Sequence, residues 1–196
     1  ELDEAQLPRV VTAGTVAGSL GREAARETGL PEATPLVVGG GDQPCVVLGL
    51  GVLEPGRVAL SLGTAADVLS PTTGVAEPHA ARICTAHVVD GQTVLEGFLG
   101  AFGASLAWVR ELVGGSVDGA EGDVEVGADS PYYLPFLSGV ATPDFVPTAR
   151  GGFLGLAPAH TARDLEASVR NGLAMELRRI LESPATVDGV QELTLS

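Results

Sequence analysis

At 196 residues the chain is long enough to bury a substantial core in one or two domains. Its net charge of −14, from 25 acidic against 11 basic side chains, argues against nucleic acid and anionic membranes as partners, since both need a positive footprint. Hydrophobic residues make up 45%, yet no apolar run approaches the ~18 residues that span a bilayer.

The start, Glu1-Leu2-Asp3-Glu4, is acidic where a signal peptide is basic, so a cytoplasmic protein is expected. Without an initiator methionine, it also reads as part of a longer chain. Residues 15–29 are predicted as an amphipathic helix capped by Thr15 and ended by Gly29 and Pro31. A short apolar strand follows at 35–38 and runs into Gly39-Gly40-Gly41, then Asp42 and Gln43. Glycines let the backbone turn sharply and leave space for a ligand. A helix predicted from Gln43 to Val52 would aim its positive N-terminal end near Asp42.

After the turn Glu54-Pro55-Gly56 the pattern changes to short strands, 57–62 and 65–70, joined at Gly63-Thr64. A second hairpin is predicted over 83–89 and 92–98, with Asp90-Gly91 as a type I′ turn. Helical spacing returns over 101–113. The acid- and glycine-rich stretch 114–130 reads as a surface loop, and Glu121, Asp123, Glu125 and Asp129 within it as solvated charge. Residues 132–137 are predicted as a buried strand, and 142–152 as irregular. Thr161-Ala162-Arg163-Asp164 resembles a capping box opening a helix to Leu181, with Leu165, Val169, Leu173, Leu177 and Ile180 on one face. A last strand, 190–195, ends the sequence in the manner of a fragment.

All basic residues are arginine, which removes the P-loop, because that motif needs a lysine on the phosphates. Phosphate handling would fall to backbone amides, arginine, hydroxyls or a metal ion. Cys45 and Cys84 lack metal or disulfide spacing and are expected to fill core volume. His79, His87 and His160 show no ligand pattern, Trp108 reads as core or interface, and Arg150 as a structural or solvated cation.

From spacing alone Asp42 has two readings: a general base at the carboxyl end of a strand, or the N-cap of the following helix. Gly63 and Thr64 likewise read either as a phosphate-cradling bend or as a plain hairpin turn.

Four blocks carry a resemblance to a known family: Val38-Gly39-Gly40-Gly41-Asp42-Gln43; Leu60-Ser61-Leu62-Gly63-Thr64; Tyr133–Gly139 with Thr142-Pro143; and Ala149–Leu156. In this order, over nearly the whole length, they make the chain similar to the FGGY carbohydrate kinases, and among them to bacterial xylulokinase-like members. The resemblance implies an α/β ribonuclease H-like (actin-type ATPase) fold, a mixed sheet flanked by helices, truncated at both ends. Residues 1–53 would be the end of the first, sugar-binding domain, and 54–196 most of the second, nucleotide-binding one. It implies an ATP- and Mg²⁺-dependent kinase acting on a hydroxyl of a ketopentose such as xylulose or a related polyol. Asp42 would be the general base, Asp42 and Gln43 would contact the sugar, and Gly63 and Thr64 would contact ATP. No protein ligand to the metal is expected within this stretch. A small-molecule sugar is the expected partner, and a homodimer is compatible with the family.

Two departures stand out. The family's G-T-S-G reads Gly63-Thr64-Ala65-Ala66, and its G-E-R reads Gly139-Val140-Ala141. They motivate rival expectations: a non-catalytic relative that binds carbohydrate or nucleotide, and a structural or oligomerising domain.

Overall fold

The computed structural model describes residues 3–74, 76, 82–115, 127, 129–183 and 189–196. A five-stranded sheet organises them, in the order β5-β6-β4-β3-β9. Its strands are β3 (Arg57–Leu62), β4 (Ala66–Thr73), β5 (Ile83–Ala86), β6 (Gln92–Leu99) and β9 (Glu192–Leu195). Pairing is antiparallel except for β3 with β9, which run parallel with Arg57 opposite Glu192. Two small antiparallel ribbons accompany it: β1 (Val16–Ser19) with β2 (Pro35–Val37), and β7 (Tyr132–Leu134) with β8 (Gly152–Leu154).

Strand alternation splits the core in two. Val58 and Leu60 of β3 and Val68 of β4 face one side, joining Val109 of α3 (Gly103–Leu112) and Val169, Leu173 and Ile180 of α4 (Ala162–Leu181). Ala59 and Leu69 face the other and meet Val47 of α2 (Asp42–Gly49) together with Val52 and Val94. A sheet covered on both faces reads as unbroken hydrophobic runs, and β3 and β4 have that character. The helix α2 thus packs on the same sheet whose other face carries α3 and α4.

The capping box at α4 forms: Asp164 Oδ2 accepts the Thr161 backbone N–H and hydroxyl, both at 2.7 Å. Those two bonds hold the Asp164 carboxyl below its ordinary range. The five-residue apolar face foreseen for this helix lies in the main core. Midway along it, Gly172 lets the helix approach β7 so closely that a Cβ would overlap the Tyr133 carbonyl oxygen. Gly172→Ala is therefore expected to destabilise by about 1–2 kcal/mol in urea titration, despite alanine's better helix propensity.

Several local expectations are corrected. The predicted helix 15–29 is instead β1 followed by α1 (Arg22–Thr28), because Val16 and Gly18 are poor helix formers and pair with β2. Cys45 and Cys84 are free and exposed, on the outer side of α2 and on the edge strand β5, so neither fills the core. The 87–92 turn is not type I′: Gly91 has φ of 75°, but Asp90 keeps a negative φ. The strand expected at 132–137 stops at Leu134, with Tyr133 its one buried residue, and pairs with Gly152–Leu154, whose first residue ends the segment read as irregular. Most of 114–130, including Glu121, Asp123 and Glu125, lies outside the described residues, as does His79.

Candidate active site

The chain rises through β2 and turns at Gly39-Gly40-Gly41 into α2. Val38 is tied to the β1 side by backbone bonds, Gly14 N–H to its carbonyl at 2.8 Å and its own N–H to Thr15 at 2.9 Å. Gly40 has to be glycine, because a Cβ there would overlap the side chain of Val88 in the 87–92 turn.

Asp42 is the first helical residue, not the N-cap; that position belongs to Gly41, which offers no side chain. Asp42 is exposed, and its Oδ1 accepts the Gln43 backbone N–H at 2.9 Å. Its Oδ2 has no protein partner among the described residues. One oxygen therefore fixes the rotamer while the other is open to a proton. The residue also sits at the positive end of α2, where a carboxylate is favoured.

Gln43 turns the other way. Its side chain is half-buried and its Nε2 donates to Asp67 Oδ2 of β4 at 3.3 Å, while Oε1 is buried without a partner. Asp67 was not foreseen from sequence. Burial raises its carboxyl above the usual range, and the charges of Glu96 and Asp42 add to that. Because its folded-state value is raised, Asp67 subtracts stability at neutral pH and subtracts less as pH falls through the carboxylate range. The only sequence signal was a charged residue inside an otherwise apolar strand.

Gly63 and Thr64 form the β3–β4 bend. The Gly63 N–H is used locally, donating to Ala65 O at 2.8 Å. The carbonyls of Gly63 and Thr64 accept the N–H groups of Gly103 and Ala104 at 3.0 and 3.1 Å, so the bend caps α3. A Cβ on Gly103 would come within 2.5 Å of Gly63 O, and glycine there lets helix and bend meet. Thr64 alone in this bend keeps its N–H and hydroxyl without protein partners among the described residues. An open groove of about 600 Å³ runs from Thr64 along α3 past Gly103 and Ala107 to Trp108 and Glu111. Trp108 forms one wall, 36% exposed, with ring centroids 6.4 Å from Tyr133 and 6.2 Å from Phe153.

A second cavity of about 490 Å³ lies behind the glycine turn, between Gly39–Gly41 and residues 85–92. His87 borders it, 8% exposed, with Nδ1 accepting the Val89 N–H at 2.7 Å. That bond selects the tautomer protonated at Nε2. Burial lowers the His87 pKa from 6.5. The folded state thus prefers neutral imidazole, so its contribution to stability is complete above 6.5 and is lost as pH falls below it. His87→Asn keeps an acceptor for Val89 and cannot titrate. Chemical denaturation from pH 7.5 to 5.5 is expected to show a shallower acid loss for this variant than for wild type.

Arg150 is exposed and donates to the backbone carbonyls of Pro147 at 3.2 Å and Ala149 at 2.7 Å. Among the described residues, no group of three or more His, Cys, Asp or Glu side chains is placed to hold a metal ion. None of their helices is long and apolar enough to cross a membrane.

Residues 58–193 match the model of the FGGY family of carbohydrate kinases, C-terminal domain. The chain is 28% identical over 182 residues to the xylulose kinase of Escherichia coli K12, covering 90% of this chain and 37% of that protein. It therefore spans well under half of the curated relative's length. Crystal structures of a xyloylose kinase from Brucella ovis and a xylulose kinase from Rhodospirillum rubrum superpose with TM-scores of 0.85 and 0.83, at 27% and 25% identity. Each covers 99% of this chain and 41% of the other. The mixed sheet with helices on both faces is accordingly the actin-type ATPase fold of those kinases, and the chain belongs to the FGGY family of carbohydrate kinases.

Proposed function

We propose that this chain is the central and carboxyl-side part of an ATP-dependent sugar kinase that phosphorylates a hydroxyl of a ketopentose, with xylulose the leading acceptor. Residues 1–53 complete a first, sugar-binding domain, and 54–196 form most of the second, nucleotide-binding one. The observation that carries the reading is Asp42: an exposed carboxylate with one free oxygen, at a strand–glycine–helix turn of a sugar-kinase family member.

Its chemistry is a direct transfer. Asp42 Oδ2 accepts the proton of the sugar hydroxyl as that oxygen attacks the γ-phosphorus and ADP leaves. Such proton transfer contributes ~10²–10⁴-fold, and positioning with charge stabilisation supplies most of the remainder. Gln43, turned onto Asp67, supports the start of α2 instead of reaching the acceptor. Thr64, through its unpaired N–H and hydroxyl, holds a phosphate oxygen at the head of the α3 groove, and Gly63 shapes the bend. Mg²⁺ enters this reading with the nucleotide, as the MgATP substrate. The acidic net charge of −14 fits a cytoplasmic metabolic enzyme.

The full-length protein carrying this chain, given xylulose and MgATP in an assay of ADP release, is expected to turn over with sugar-dependent kinetics. Binding of nucleotide or sugar by calorimetry without any product, across pentuloses and polyols, would replace this reading by the non-catalytic one that Ala65 and Ala66 motivate.

A further inference from the structure

The geometry points to Asp67 as a positioning residue that holds the base-bearing start of α2 in register with the phosphate bend, an inference that rests on the kinase reading above. The chain of contacts is short. Asp67 Oδ2 accepts from Gln43 Nε2 at 3.3 Å, and the Gln43 backbone N–H in turn donates to Asp42 Oδ1 at 2.9 Å. Asp67 is the second residue of β4, paired with Ser61 of β3, and the bend Gly63-Thr64 lies between these two partners. One strand end thus carries both the phosphate bend and the anchor for the carboxylate. Among the described residues, no other polar contact ties the first turn of α2 to β4.

Stability alone does not account for a carboxylate here. Asp67 is half-buried, receives a single long hydrogen bond and no cation among the described residues, and sits near two further carboxylates, Asp42 and Glu96. A partly buried group facing like charges costs folding free energy. Residues that break local rules in this way concentrate at functional sites, where placement matters more than stability. A displacement of the reacting group by about 1 Å is enough to cost ~10²-fold in rate.

The test uses the full-length protein with Asp67→Leu, Asp67→Asn and Gln43→Met, singly and with Asp67→Leu and Gln43→Met combined. Asp67→Leu is expected to lower kcat by roughly 10- to 100-fold while its melting temperature stays level or rises. Asp67→Asn retains an oxygen to accept from Gln43, and should stay within about 3-fold of wild type at neutral pH. The double variant should lose no more than the worse single variant, since both break one contact. Amide exchange at the start of α2 should speed up in Asp67→Leu, a readout independent of turnover. Wild-type turnover left unaltered by Asp67→Leu, additive losses in the double variant, or unfolding that accompanies the loss would each overturn the inference. A wild-type protein without turnover would overturn the kinase reading itself, and this assignment with it.

Discussion

Asp42→Asn is expected to lower kcat of the full-length protein by ~10²–10⁴-fold with little change in melting temperature. The substitution separates two jobs of one side chain. Asparagine keeps an oxygen where Asp42 Oδ1 accepts the Gln43 N–H, so the start of α2 should survive. It removes the charge and basicity from the second oxygen, which the proposed reaction needs. Glutamate at the same position keeps the basicity but lengthens the side chain by one methylene, and should also fall well below wild type because proton acceptance depends on reach. Sugar and ATP affinities, measured separately, should move far less than kcat. Retention of more than about a tenth of the wild-type rate by Asp42→Asn would remove Asp42 from the role of base, since losses that small arise from positioning alone.

The second large effect concerns stability, at the contact between α3 and α4. Glu166 is buried, its side chain 1% exposed, and its Oε1 accepts from Arg110 Nε at 3.0 Å and from an Arg110 terminal nitrogen at 2.8 Å. Arg170 approaches the same oxygen at 3.7 Å, and Oε2 has no hydrogen-bond partner among the described residues. Arg110 is 41% exposed, so the two partners are not equivalent. Arg110→Met strands a carboxylate inside the protein with only the distant Arg170, and is expected to cost about 3 kcal/mol in urea titration. Glu166→Gln should cost less, because Arg110 can turn its charge to water. Replacing both with methionine should recover part of the loss, as apolar packing substitutes for the buried pair. A cost below about 1 kcal/mol for Arg110→Met would mean that solvent already reaches Glu166.

Both predictions concern residues whose importance was unequally legible. Asp42 was visible in the sequence because its context is local: an apolar strand, three glycines and a helix within about a dozen positions. The bend at Gly63-Thr64, the capping box at Thr161 and the apolar stripe of α4 were legible for the same reason. Of the helix expected over 15–29, the second half forms as α1 and ends at Gly29, while pairing with 35–37 makes a strand of Val16–Ser19. Cys45 and Cys84 carry no local mark of their exposure.

Sequence by itself determined the class of the protein: the strand-turn elements that deliver Asp42 and Thr64, the long capped helix, and the absence of any lysine for phosphate. Tertiary structure alone decided which distant groups meet them. It brought β9 beside β3, with Arg57 hydrogen-bonded to Glu192 across 135 positions. It set Glu166 against Arg110, and it turned Gln43 away from solvent onto Asp67. Local patterns record the bonding period of a helix or strand, which neighbours in sequence share. Long-range pairs leave no such period, because their free energy is gained only once the sheet and its two covering layers have closed.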